Sequence, residues 1–400
     1  MIRRLMPGLA LAAATAGAQE TLLPSAGGGA GISISAWHFA KAIPQGAGGL
    51  ADVAEFSVPF RVRAQLGRWG FDLSGAGAAG AAHFTVASTG NGDEGGERAT
   101  TLFGPTDVKL RLSGAVVSEN WVATLGLTVP TGKVGLTGDE TSTLQAIGAP
   151  ALHMPVAALG TGAGATVGLI RAFQGDDWAF AVGGSFEQRT EYSPIAIALG
   201  NGKSETRVTP GSAIHATLGF DRTLGEHHWS GLLVADVFSK DQVKLLEDAR
   251  ATTSTSYQLG PQVTLSSQYE FGGGSWREAS FNVAARMRSE FSDSLGTKVP
   301  GSSGNYLEAS IGGVRGGTTG AGLLIGLDGR WHSGLNFTDA LVGAAVTAVG
   351  ATIGVERAGD AAMTRFYIHG QYGSFDTGTI QTTGMGATIG FSIYGRREAR

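Results

Sequence analysis

Long runs of strictly alternating side chains constrain this chain more than any other feature. From Tyr257 to Phe271, one parity holds Tyr257, Leu259, Val263, Leu265, Tyr269 and Phe271. The other holds Gln258, Gln262, Thr264, Ser266, Gln268 and Glu270. Phe56, Val58, Phe60, Val62, Ala64 and Leu66 likewise alternate with Ser57, Pro59, Arg61, Arg63 and Gln65. Val108, Leu110 and Leu112 alternate with Asp107, Lys109, Arg111 and Ser113, and Ala387, Ile389, Phe391 and Ile393 with Thr388, Gly390, Ser392 and Tyr394. A period of two over such lengths is a strand with one apolar and one polar face. Trp229–Phe238 and Leu323–Leu327 carry apolar residues on both parities, as a bulge or a packed interior would.

Turn chemistry divides these strands into hairpins. Short breaks fall at 67–68, 118–120, 175–177, 225–228, 272–275, 316–319 and 357–360, all rich in Gly, Asn, Asp or Ser. Longer polar or Gly-rich connections alternate with them, at 41–52, 87–103, 131–160, 190–208, 240–254, 291–303, 332–340 and 373–382. Such alternation is expected of a membrane barrel with short turns at one end and long loops at the other. The count is about sixteen strands, an even number with both termini on the periplasmic side. Trp69, Trp121, Trp178, Trp229 and Trp276 each follow a short turn. An indole prefers the level between lipid tails and water, so these five are expected to form an interfacial girdle.

The predicted fold is therefore all-β, a closed antiparallel transmembrane barrel. Lipid tolerates no unpaired backbone, so the sheet must close. At this strand number, side chains alone do not fill the interior. The other classes fit poorly. A net charge of −4 lacks the basic surplus of a nucleic-acid binder, and the absence of Cys removes disulfide and Cys-ligated metal scaffolds. Ala340–Val355 and Met154–Ile170 are uncharged, but they are loaded with Gly and Thr and fall short of a membrane helix; both are expected to be strand, or strand with loop.

Met1–Ala18 (MIRRLMPGLALAAATAGA) has a basic start, a short apolar core and small residues before Gln19, and reads as a secretory signal peptide. Residues 19–30 form a Gly-rich lead-in, 31–395 the barrel, and 396–400 a short tail. Export to the outer membrane implies lipid, lipopolysaccharide and the barrel-insertion machinery as partners, with a small-molecule solute and no nucleic acid.

Four pieces carry a resemblance: FSVPFRVRAQLGRWGFDLS (Phe56–Ser74), GPTDVKLRL (Gly104–Leu112), LGLTVPTGK (Leu125–Lys133) and LGTGAG (Leu159–Gly164). With them, Val53–Gly75 and Gly104–Phe173 resemble the outer-membrane transporter family named for the MetA pathway of phenol degradation. The resemblance implies an envelope channel for small hydrophobic or aromatic compounds, with no catalytic residues to carry over. Gly386, Ile389 and Phe391 are similar to the terminal signal of barrel proteins, although GRREAR follows it.

The polar strand faces supply the pore-lining candidates: Arg61, Arg63, Asp107, Lys109, Arg111, Glu187, Arg189, Gln258, Gln262, Glu270, Arg286, Arg288, Glu308, Arg365, His369 and Gln371. Both signs are mixed, so weak charge selectivity is expected. Arg61, Arg63, Arg286 and Arg288 would form a basic constriction, or else pair with carboxylates and brace the wall. The 131–160 connection holds Leu144, Ile147, Leu152 and Met154, expected either to fold inward as a constriction or to pack as a surface loop.

An enzyme is not expected. The eight His residues are scattered, and neither HExxH nor GxSxG occurs. No cofactor or metal is expected. Asp93, Glu94, Glu97, Asp139 and Glu140 would at most hold cations on outer loops, against the plainer reading of a solvated loop.

Overall fold

A computed structural model describes residues 28–45, 48–86, 96–199, 202–247, 250–317, 319–334, 345–378 and 380–395. The leader at 1–18, most of the lead-in, Asp93, Glu94 and the tail at 396–400 lie outside the described residues. The strands, in order, are β1 (Gly29–Gln45), β2 (Gly48–Leu66), β3 (Trp69–Val86), β4 (Glu97–Pro105), β5 (Val108–Ala115), β6 (Trp121–Val129), β7 (Gly164–Gln174), β8 (Trp178–Arg189), β9 (Tyr192–Leu199), β10 (Gly202–Thr209), β11 (Ala213–Leu224) and β12 (His227–Phe238). They continue as β13 (Asp241–Glu247), β14 (Arg250–Tyr257), β15 (Gln262–Gly273), β16 (Trp276–Arg288), β17 (Gly304–Arg315), β18 (Gly320–Ser333), β19 (Ala345–Ala358), β20 (Ala362–Asp376) and β21 (Gln381–Gly395). Among the described residues one α-helix, α1, spans Gly138–Ile147.

Each wall strand pairs antiparallel with its neighbours, and β21 returns to β1 from Gly29↔Tyr394 to Phe39↔Gly384, which closes the ring. β4 and β5 both lie against β3 and are the two halves of one wall strand, interrupted at Thr106 and Asp107. With β9, β10, β13 and β14 set apart in their own sheet, the barrel has sixteen strands. Alternation fixes which face is which. On β19, Val349, Ile353 and Val355 are exposed, whereas Val346, Ala348 and Glu356 are buried. On β21, Met385, Ile389, Phe391 and Ile393 are exposed and Thr388, Ser392 and Tyr394 buried. A soluble fold would bury these Ile, Val and Phe side chains. Here they cover the outside of a closed wall, as lipid requires, and the fold is a transmembrane β-barrel.

All seven short turns join the wall strands at one end. Gly67, Gly225 and Gly274 take positive φ there, which only Gly adopts without a steric penalty. Three sequence expectations need correction. The connections at 41–52 and 373–382 are tight hairpins, because β1, β2, β20 and β21 extend almost to the turn. The connections at 190–208 and 240–254 are not loops: they form the hairpins β9–β10 and β13–β14, joined through β10–β13 into a second sheet above the wall. Tyr257–Phe271 is not one strand; Gly260 and Pro261 break it, and β15 starts at Gln262. Trp276 needs no correction: although it has the same sequence parity as the inward Glu278, the register shifts between the two, so the inward phase does not extend to Trp276. The uncharged stretches resolve as strand: residues 345–355 lie in β19 and 164–170 in β7.

Candidate functional site

Three of the sequence pieces behind the family resemblance meet at one point inside the wall. Pro105 has no N–H to continue the ladder, and the strand breaks after it. Thr106 patches the gap, its hydroxyl accepting from the Ala76 amide at 2.9 Å. Asp107 turns inward. Its carboxylate accepts from the Gly132 amide (2.8 Å), the Thr161 amide (2.6 Å) and the Thr161 hydroxyl (2.9 Å). The Asp107 amide donates to the Leu159 carbonyl, and Gly160 donates to Lys133. Both ends of the long connection between β6 and β7 are thus pinned to one carboxylate. The approach is close enough to demand Gly: a Cβ on Gly132 would stand 2.3 Å from the Leu159 oxygen and 2.7 Å from the Asp107 carboxylate.

Beyond this neck the connection folds as a unit within the barrel. Thr137 and Glu140 form a reciprocal capping box that starts α1. The Lys133 ammonium bonded to Glu140 holds that carboxyl below its ordinary range. Asp139 pairs with Arg98, and the Thr143 hydroxyl meets Thr100 at 2.7 Å. α1 rests on the inward side of β3, where Ala76, Ala78, Gly80 and Ala82 leave a trough; a Cβ on Gly80 would lie 3.2 Å from both Ile147 and Thr143. The chain then reaches the opposite side of the closure seam. The Trp37 indole donates to the Leu152 carbonyl at 2.9 Å, and Arg330 Nε donates to the Ala151 carbonyl at 3.1 Å. Ile147, Leu152, Met154, Val156 and Leu159 are buried against Trp37, Phe39, Val53, Val346, Ala348 and Phe375, with Leu144 partly buried beside them. Glu55, fully buried, faces the Val156 backbone. His153 follows at φ 52°, its ring 3.6 Å from Glu308. Burial, together with the Arg330 charge, holds its pKa well below the ordinary imidazole value.

Most of the other candidates point into the barrel and are engaged there. Arg61 and Arg63 share Asp72, which accepts from each at 2.7 Å. Lys109 and Arg111 stand opposite Ser74 and Asp72. Glu187 is bracketed by Arg189 (2.5 Å) and His215 (3.7 Å). Gln262 donates to Asp236, which also holds His215 at 2.6 Å. Glu270 meets His228 at 3.1 Å. Arg365 and Arg277 converge on the buried Glu356, which also accepts from the Tyr394 hydroxyl at 2.6 Å. His369 lies 3.6 Å from Asp328, and Gln371 is buried.

One candidate and one grouping differ from the sequence reading. Gln258 lies before the break at Pro261, off the wall, and donates to the Phe238 carbonyl. Of the two readings of the four arginines, the constriction does not assemble, and Arg61 and Arg63 instead pair with a carboxylate, Asp72. Arg61 and Arg63 sit near the short-turn end of β2, whereas Arg286 and Arg288 sit near the loop end of β16. Arg286 lies over the Tyr306 ring and Arg288 donates to the Ser302 carbonyl. Asp72, Asp236, His215, Glu356, Arg330 and Trp37 were not singled out from sequence. The one signal for them was their inward parity, which they share with many residues of no special role.

The five tryptophans lie within the first three residues of a strand, at the short-turn end. Trp178 and Trp229 are exposed, and Trp121 lies 5.4 Å from the Arg171 guanidinium. Glu97, an outer-loop candidate, faces His83 at 3.4 Å.

Away from the loop, the wall is different. Thr124, Gly126 and Thr128 of β6, Thr166 and Gly168 of β7, Gly183 and Ser185 of β8, and Thr264 and Ser266 of β15 occupy inward parity. Most of them are only half-buried. Their partial exposure contrasts with the close packing around the loop.

No family profile matches the chain, and no curated protein sequence matches it. Among solved structures, the chain is similar to OpdK of Pseudomonas aeruginosa crystallised with vanillate, at 10% identity over 92% of this chain and 98% of that one, with a TM-score of 0.38. It is also similar to an outer-membrane channel from Pseudomonas putida F1 (11%, 78% and 96%, TM-score 0.33) and to the CymD monoaromatic hydrocarbon channel (8%, 97% and 95%, TM-score 0.39). Likenesses this distant speak to neither family nor solute.

Proposed function

We propose that this protein is an outer-membrane channel for passive entry of small molecules, hydrophobic or aromatic ones foremost, as the resemblance to the phenol-degradation transporters implies. One observation carries the reading. The β6–β7 connection is packed inside the barrel against β1–β4 and β17–β20, which narrows the lumen, whereas on the β6–β8 and β15 side small, half-buried inward residues stand among Glu187, Gln262 and Glu270. A scaffold barrel would fill both sides. A general diffusion porin would have no use for the apolar core of this loop. The paired inward charges support weak charge selectivity. The protein would be exported by its leader, inserted by the barrel machinery and surrounded by lipid and lipopolysaccharide, and it performs no chemistry on its solute.

Swelling of proteoliposomes tests the reading. Sodium salts of aromatic acids should enter faster than sugars of similar mass. If neither enters, the channel reading fails; if sugars enter equally fast, the protein is a general porin.

A further inference from the structure

Where the loop tip meets β16–β18, several buried polar atoms on neighbouring rungs have no hydrogen-bond partner. His332 is 3% exposed, and neither ring nitrogen makes a hydrogen bond. Arg330, 4% exposed, spends Nε on the Ala151 carbonyl and leaves Nη2 uncommitted. Arg286 Nε is uncommitted as well. Pairing puts Arg286, Tyr306 and His332 on one rung of the wall, with Arg330 on the next.

Aromatic surfaces frame the same place. The Arg286 guanidinium is 5.6 Å from the Tyr306 ring, Tyr306 is 5.1 Å from His332, and His332 is 6.0 Å from His153. His153 is the only non-Gly residue at positive φ among the described residues, so the tip accepts local strain to hold that ring there. Small neighbours, Ala284 and Thr264, stand beside Arg286. Two carboxylates stand beside the cluster and act on the Arg330 charge: Glu308, 3.6 Å from His153 and hydrogen-bonded with Tyr306, and Asp328, 4.0 Å from Arg330 Nη1 and 3.6 Å from His369.

A buried donor left without an acceptor costs free energy, so native interiors pair such groups or reserve them for a ligand. The uncommitted atoms on Arg286 and Arg330 are charge-assisted donors, and flat rings line the approach. We propose that this cluster binds the carboxylate of a small aromatic acid. Its oxygens take Arg330 Nη2, Arg286 Nε and a His332 ring nitrogen, and its ring lies among Tyr306, His332 and His153. The site rests on the channel reading and names its solute class.

The test is calorimetric titration of the refolded full chain in detergent micelles with sodium benzoate and, separately, benzyl alcohol. Benzoate should bind about tenfold more tightly or better, as charge-assisted bonds require. R286Q and H332F should each remove most of that difference. H332F breaks no hydrogen bond of the unliganded site, so a purely structural His332 predicts no change in benzoate binding. Heat-modifiable electrophoretic mobility reports whether each barrel has folded. Should H332F not fold, R286Q decides, because Arg286 leans only on Tyr306. Equal binding of the two compounds, or a preference that survives the variants, overturns the site. Swelling without such a preference overturns the site and leaves the channel standing; a preference without swelling does the reverse.

Discussion

Replacing Asp107 should release the inner loop while leaving the barrel closed. Asp107→Ala removes the acceptor for the Gly132 amide, the Thr161 amide and the Thr161 hydroxyl, at 2.8, 2.6 and 2.9 Å. A hydrogen bond to a charged group contributes about 1.5–3 kcal/mol. Bonds that share one acceptor do not add fully, so the loss on loop closure is about 3–5 kcal/mol. At about 1.4 kcal/mol per factor of ten, the released population rises by roughly two to three and a half orders of magnitude. Asp107→Asn keeps one acceptor oxygen and should lose about half as much. Gly132→Ala should behave like Asp107→Ala, because its Cβ enters the same contact. The assay is amide hydrogen exchange over 138–159 in micelles, with single-channel conductance recorded in parallel. Protection of the loop should collapse and conductance should rise or become noisy. The β1–β21 seam should exchange as slowly as in the parent. Unchanged protection across 138–159 in Asp107→Ala would refute the clamp, and simultaneous loss at the seam would show that Asp107 holds the wall and not the loop.

Three other outcomes follow from the same geometry. Glu356→Gln leaves Arg277 and Arg365 facing a neutral amide in a buried site, so the barrel should lose about 3–5 kcal/mol, read as a lower urea midpoint; an unchanged midpoint would mean that the cluster is solvated. Glu140 has a depressed pKa, so its contribution to the loop is fully present above the ordinary glutamate range and disappears as pH falls through the lowered value. Exchange protection of α1 should therefore hold at neutral pH and weaken only in clearly acid solution, and Lys133→Gln should move that loss to higher pH. Ile353, outward near the middle of β19, should cost about 2–4 kcal/mol when replaced by Arg in a bilayer, whereas the same change at a rim position should cost little. Equal effects at both places would remove the lipid-facing assignment.

Alternation alone determined that this chain closes into a barrel. Side-chain period, backbone pairing and the lack of water in lipid leave one solution, and the seven short turns were readable because Gly, Asn, Asp and Ser mark them locally. Inward parity was equally legible, since it is a property of each strand by itself. What parity cannot give is height along the wall or distance across the lumen. Arg61 and Arg286 look equivalent in sequence, yet they end near opposite rims. The inner loop was readable as apolar and long, but its placement depended on contacts far apart in the chain: Asp107 with Thr161, Trp37 with Leu152, and Arg330 with Ala151. The extra sheet of β9, β10, β13 and β14 was missed for the same reason, because the two hairpins join into one sheet only where each supplies the other's edge. Local periodicity set the wall, and non-local hydrogen bonding decided what stands inside it.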